Sequence, residues 1–250
     1  MAVDGSHYRY EVLGEGYASR RRPEARIAAL IHSALGDAKT VLNVGAGAGS
    51  YEPADRAVIA LEPSRGMIAQ RLPSAAPAVQ GIAEHLPFAA ASFDAVMAVL
   101  TVHHWSEPAR AFRELRRVAP RCVILSYEPD RSRRFWLVAD YLPAIGELEE
   151  GRPTVDQVAE GIGATRIIPI PIPFDCADGF LGAYWRRPEA YLDPTVRRAI
   201  SSFGLVPPEA VQEGISRLAA DLDSGEWHRR YAHLLDRDSI DLGYRLIVAE

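Results

Sequence analysis

Cysteine is scarce: the chain of 250 residues has two, Cys122 and Cys176. Two cysteines without metal-ligand spacing cannot build a disulfide framework or a zinc cluster. Long apolar runs are also missing. The longest, Ala95 to Leu100, is far shorter than the roughly 20 residues a membrane helix needs. The stretch MAVDGSHYRYEV has no apolar segment behind a basic end, so no secretory signal is expected. Nor is there a basic surplus. Lys and Arg number 28 against 33 Asp and Glu, for a net charge of −5. The short basic runs Arg20 to Arg22 and Arg131 to Arg134 read as solvated faces. Polyanion binding needs a concentrated basic face, so no nucleic-acid partner is expected. Internal repeats and low-complexity linkers are absent. These absences describe a cytoplasmic protein with no membrane partner.

Hydrophobic residues make up 48% and charged residues 24%, an ordinary globular balance. The length suits one α/β domain with insertions, or two small domains. Residues 23–36 read as a helix, with Pro23 in its first turn, Ile27, Leu30, Ile31, Ala34 and Leu35 on one face, and Gly36 at its end. Strands are expected at Thr40 to Val44, Val58 to Leu61, Ala78 to Gly81, Phe93 to Leu100 and Cys122 to Tyr127. Ser106 is placed to cap a helix from Glu107 to Val118. Strands alternating with helices imply a parallel sheet with right-handed crossovers. Ligands of such sheets bind beyond the carboxyl ends of the strands.

The second half is less regular. Phe135 to Leu148 and Thr154 to Ile162 look helical. Ile167 to Phe174 is apolar but holds Pro169, Pro171 and Pro173, so it can be only an irregular or edge strand. Residues 176–240 contain amphipathic helices, and Leu242 to Ala249 reads as the last strand.

The central signal is a strand followed by Gly45-Ala46-Gly47-Ala48-Gly49. Glycines let backbone turn tightly and approach a ligand without a Cβ clash. Ser50 holds the sixth position, where a dinucleotide fingerprint has its third glycine. No Gly-Lys-Ser/Thr follows, which excludes a P-loop.

The run VLNVGAGAG resembles the first motif of class I S-adenosylmethionine-dependent methyltransferases of the small-molecule, "type 11" kind. ALEPS, GIAEHLPF (81–88) and SFDAVMAVLTVHHW (92–105) resemble further segments of that family, in the same order. Together they cover about residues 40–127. The resemblance implies a Rossmann-like, doubly wound α/β sheet, mostly parallel with the last strand antiparallel, under a helical cap. It divides the chain into an arm and helix (1–36), a cofactor domain (37–174 plus 241–250, with an insertion at 130–152) and a substrate cap (175–240).

Carried over residue by residue, the resemblance places Glu62 on the ribose hydroxyls, a task suited to a carboxylate that accepts two hydrogen bonds. It places Asn43, Gly45, Ala46, Gly47, Pro63, Met67 and Val99 around the cofactor, and Ile82, Ala83 and Glu84 at its adenine. The stretch YASRRRPE (17–24) resembles one that closes over the cofactor, so Tyr17 and Arg22 become candidates for its methionine carboxylate. Two positions depart from the family. Asn43 stands where Asp or Glu is usual, and Ile82 where many relatives have Asp. The short span from Gly49 to Val58, with Pro53 in it, leaves little room for the first crossover helix.

Methyl transfer from S-adenosylmethionine, which leaves S-adenosylhomocysteine, chiefly needs alignment and exclusion of water. Where the acceptor holds a proton, a base is needed. His103 and His104, just past the fourth strand, are the candidates, with His7 a weaker one. No third ligand stands at metal spacing, so no metal is expected. Trp136, Tyr184, Trp185 and Arg186, with other cap aromatics such as Phe180 and Trp227, are the candidates for binding a small-molecule acceptor. Two alternatives remain open: an NAD(P)-dependent Rossmann oxidoreductase, and a catalytically inactive methyltransferase-like binding protein.

Overall fold

The computed structural model describes residues 21–250; Tyr17 and His7 lie outside the described residues. Nine strands follow in chain order: β1 Thr40–Val44, β2 Ala57–Glu62, β3 Ala78–Gln80, β4 Ala95–Val99, β5 Arg121–Tyr127, β6 Arg166–Pro169, β7 Ile172–Pro173, β8 Ser239–Ile240 and β9 Tyr244–Ala249. Seven form one sheet in the order β3-β2-β1-β4-β5-β9-β6. β1 pairs in parallel with β2 and β4, and β4 with β5. β9 runs antiparallel to both β5 and β6. The mixed, doubly wound sheet expected from the resemblance is present.

The sheet is buried on both faces, and the period of two along each strand shows how. Val41, Met97, Val123, Leu125, Leu246 and Val248 belong to one core. Their neighbours Leu42, Val44, Val96, Ala98, Ile124 and Ile247 belong to the other. Helix α1 (Ala25–Ala34) covers the first face through Ile27, Ile31 and Ala34. α2 (Arg65–Ala69) follows β2. α3 (Pro108–Val118) covers the second face with Ala111, Phe112, Leu115 and Val118.

Three local expectations are corrected. Ser106 does not cap α3, because its N–H (2.8 Å) and Oγ (3.1 Å) both donate to Glu84 Oε1, and Glu107 takes the cap position without a side-chain bond. Phe135 to Leu148 is not one helix. Leu142 N–H reaches back five residues to Leu137 O, and Pro143, which has no N–H, starts a separate turn of helix. The proline-bearing segment is, as expected, an edge strand: β6 closes the sheet edge, and the chain then breaks before β7, which pairs with β8. The last strand begins at Tyr244, because Gly243 (φ +92°) turns the chain before it. The short span between β1 and β2 holds turns and no helix, as its length implied.

The cap shares the first core with the sheet. Trp185, Tyr191 and Trp227 are fully buried there beside Val41 and Leu246. The Trp136 ring packs on Tyr191 (5.7 Å) and Trp227 (5.3 Å). No helix among the described residues is long and apolar enough to cross a membrane.

Candidate active site

The site lies at the carboxyl ends of β1, β2, β4 and β5, around a cleft of about 900 Å³. Gly45 has φ +67° and donates its N–H to Leu61 O (2.9 Å). A Cβ there would stand 2.1 Å from Thr101 Oγ1, so only glycine fits both the conformation and the space. At Gly47 (φ +52°) a Cβ would meet Met67 at 3.3 Å. Glu62, buried at the end of β2, is held by two backbone donors: Gly47 N–H to Oε2 (2.8 Å) and Ser64 N–H to Oε1 (2.9 Å). The carboxylate thereby ties the glycine loop to the start of α2.

Two ion-pair networks brace this loop. Asn43 Nδ2 donates to Glu52 Oε1 (3.1 Å), and Arg71 Nη2 binds Glu52 Oε1 (2.7 Å) and Oε2 (2.8 Å). Arg71 Nη1 then donates to Gly47 O (3.0 Å). On the other side, fully buried Asp178 of the cap accepts from Arg21 Nε (2.6 Å) and Tyr51 OH (2.9 Å). Tyr51 has φ +66° and Leu100 φ +51°. Both are non-glycine residues in the left-handed region, and both line the cleft. Strained backbone of this kind gathers at functional sites.

A hollow formed by Ile82, Ala83, Glu84, Leu61 and Trp105 continues the cleft past Pro63 and Thr101. Glu84 borders it but is structural: its Oε1 also accepts from Glu107 N–H (3.2 Å), at the start of α3.

A second cavity, of about 550 Å³, opens under the cap. Phe180, Leu181 and Ile200 form its apolar wall. Its polar wall is a buried cluster. Glu149 accepts from Tyr127 OH (3.0 Å), Ser132 Oγ (3.2 Å) and Arg152 Nη1 (3.0 Å). His103 lies on the turn Val102–His104, and its shielded Nδ1 has no hydrogen-bond partner among the described residues. Burial, then the charges of His104, Arg152 and Arg21, holds its pKa well below the usual imidazole value. The ring is therefore neutral at pH 7. Burial pushes the phenols of Tyr127 and Tyr244 up, so they stay protonated. The two cavities share Arg21, Leu100 and His104.

Asn43, Gly45, Ala46, Gly47, Glu62, Pro63, Met67 and Val99 all line the cleft, and Ile82, Ala83 and Glu84 line the adjoining hollow. Arg22 does not; it is exposed, and its neighbour Arg21 lines the cleft instead. His104 touches both cavities and His103 the second. The four acceptor candidates lie elsewhere. Trp136, in the insertion, and Trp185, in the cap, are buried, and their indole N–H groups donate to Trp185 O (2.9 Å) and Ile172 O (3.0 Å). Tyr184 stacks edge-on against Tyr191, and Arg186 donates to Arg237 O (2.9 Å) over the Phe174 ring. Large aromatics were needed for the cap's own core. Of the residues that line the second cavity, His103, His104 and Phe180 were candidates, whereas Tyr127, Glu149, Arg152 and Tyr244 were not. Of these four only Tyr127, at the carboxyl end of β5, carried a signal.

This strand order, with a glycine loop after β1 and a carboxylate closing β2, defines a nucleoside-binding, doubly wound enzyme. A methyltransferase domain model matches residues 42–121. A protein of Anabaena variabilis, provisionally described as a methyltransferase from an antibiotic biosynthesis pathway, is 34% identical. The match covers 92% of this chain and 99% of that one, with a TM-score of 0.85. Geranyl diphosphate C-methyltransferase of Streptomyces coelicolor, in complex with Mg²⁺, geranyl diphosphate and S-adenosylhomocysteine, is 14% identical over 91% of this chain and 79% of that one (TM-score 0.50). A Thermotoga maritima S-adenosylmethionine-dependent methyltransferase is 18% identical over 66% and 84% (TM-score 0.53). At these identities the last two share the fold. No curated protein matches the chain. The chain belongs to the class I S-adenosylmethionine-dependent methyltransferases. Its cofactor is S-adenosylmethionine, and this sets aside the nicotinamide alternative. The cleft fits that group: a glycine-rich loop with no side chain larger than a methyl at 45–49, a buried carboxylate for a diol and a hollow with Leu61, Ile82, Ala83 and Trp105 in its wall for a purine.

Proposed function

We propose that the enzyme methylates a small-molecule acceptor held in the cavity under the cap. The observation that carries this reading is the meeting of the two cavities at Arg21, Leu100 and His104. S-adenosylmethionine supplies a methyl group already activated on a sulfonium. Gly45, Gly47 and Glu62 hold the cofactor, Ile82 and Ala83 flank its adenine, and Arg21 faces its carboxylate. Leu100, Phe180 and Leu181 keep water from the junction. Neutral His103, which lines this cavity, is the group placed to take the acceptor's proton. His104 packs against it, ring centroids 3.8 Å apart, and fixes its orientation.

The insertion (Glu149, Arg152) and the cap (Phe180, Leu181, Ser201) build the acceptor cavity together. Residues 175–240 thus serve as the substrate cap, with 37–174 plus 241–250 the cofactor domain. The Anabaena relative's pathway makes secondary metabolism the reading for this chain as well.

The test is methyl incorporation from tritiated cofactor into panels of phenols, amines and carbon nucleophiles, with RNA and protein as competitors. Ser201→Trp, which fills the second cavity, is expected to abolish incorporation while S-adenosylhomocysteine still binds. Label appearing in RNA or protein, or unchanged turnover in the filled variant, refutes the reading.

A further inference from the structure

The cofactor brings two positive charges, a sulfonium and an ammonium, into a cleft that only one carboxylate lines among the described residues, Glu62. That carboxylate is already engaged by the N–H groups of Gly47 and Ser64. The next acidic group sits one hydrogen bond behind the wall. Asn43 lines the cleft, is 2% exposed, and donates Nδ2 to Glu52 Oε1 at 3.1 Å. A carboxylate only accepts, so this bond fixes the amide with Nδ2 toward Glu52 and leaves Oδ1 as its remaining acceptor. No described residue donates to that oxygen. Hydrogen bonds in a chain polarise one another in a low dielectric. An amide that gives its N–H to a carboxylate is therefore a stronger acceptor at its oxygen than a free amide.

Glu52 is itself clamped. Arg71 binds both its oxygens, Ala76 N–H donates to Oε2 (3.0 Å), and the pair is almost fully shielded from solvent. The same Arg71 holds Gly47 O. The carboxylate cannot swing into the cleft, so its effect has to pass through Asn43.

We infer that Glu52 and Asn43 act as a relayed carboxylate: Glu52 orients and polarises the Asn43 amide, whose Oδ1 receives the ammonium of the cofactor's methionine part. Glu52 is a positioning residue here, and Asn43 the contact. The inference rests on the cofactor and not on the acceptor, so failure to find an acceptor leaves it standing.

Calorimetric titration with S-adenosylhomocysteine and with 5′-methylthioadenosine, which lacks the amino-acid part, separates the relay from general bracing of the loop. Asn43→Ala, which leaves the Glu52–Arg71 pair in place, is expected to weaken S-adenosylhomocysteine about tenfold, the size of one charge-assisted hydrogen bond. Methylthioadenosine is expected to change by less than about twofold. Glu52→Gln is expected to show the same selective loss, about three- to tenfold. The double variant Asn43→Asp/Glu52→Gln moves the charge onto the contact position and is expected to return binding to within about twofold of the parent. Parallel loss of both ligands in the single variants, or a double variant no better than the weaker single one, overturns the relay. Should Glu52→Gln fail to fold, the Asn43→Ala selectivity and the double variant still decide.

Discussion

Gly45→Ala is the sharpest test of the cleft's geometry. Gly45 stands at φ +67°, where an alanine costs about 1–2 kcal/mol. Its Cβ would lie 2.1 Å from Thr101 Oγ1, 2.7 Å from Cβ and 2.9 Å from Cγ2. Thr101 is 7% exposed and cannot swing into solvent. Such overpacking adds about 1–3 kcal/mol. A loss of about 2–5 kcal/mol is expected, which for a chain of this size lowers Tm by about 4–20 °C. Thr101→Ala removes Oγ1 and Cγ2 but not Cβ, so it relieves part of the clash. The double variant should be more stable than the sum of the singles by about 1 kcal/mol or more. Thermal denaturation of the parent, both singles and the double measures this, with S-adenosylhomocysteine titration alongside. Gly45 lines the cleft, so affinity should fall with the loop's displacement. A Gly45→Ala protein with parental Tm, or strict additivity with Thr101→Ala, would refute the reasoning.

Two further outcomes follow from buried charge. His103 is held neutral by burial, so its folded pKa lies below its unfolded value of about 6.5. The unfolded chain therefore takes up a proton that the folded one refuses, and stability falls as pH drops through about 6.5, by up to about 1.4 kcal/mol per pH unit until the lowered folded pKa is reached. Denaturant midpoints between pH 8 and 5 should decline more steeply for the parent than for His103→Phe; matching slopes would remove His103 as the cause. Asp178→Ala leaves Arg21 and Tyr51 without their shared carboxylate. A loss of about 3 kcal/mol in urea unfolding is expected, together with weaker S-adenosylhomocysteine binding, because both freed side chains line the cleft. Unchanged binding would show that the cap and the cofactor loop are not joined through Asp178.

The cofactor half was legible because its determinants are local. Glycine at 45 and 47 is demanded by backbone conformation and a close approach, and Glu62 by its place at a strand end. The double burial of β1, β4 and β5 shows directly as apolar runs. What stayed hidden depends on where distant segments return. Trp136 and Trp185 could be read equally as pocket or core from the chain, since an indole suits both; the packing of the cap against the sheet placed them in the core. Arg21 and Arg22 are neighbours of the same type, and only the pairing of Arg21 with Asp178, 157 residues away, turned one inward.

The second cavity makes the same point more strongly. Glu149, Arg152 and Tyr127 meet across 25 residues or fewer, yet no spacing rule joins an irregular insertion to a strand end. Asn43 looked from the sequence like a lost charge; the fold put Glu52 behind it. The sequence by itself determined the sheet and the glycine loop, because conformational demands and strand burial act on neighbours along the chain; the class of cofactor came from the resemblance of its motifs to a family. Tertiary structure alone decided which polar groups share a cavity and which charges are paired, because those depend on contacts that the chain makes only once it is folded.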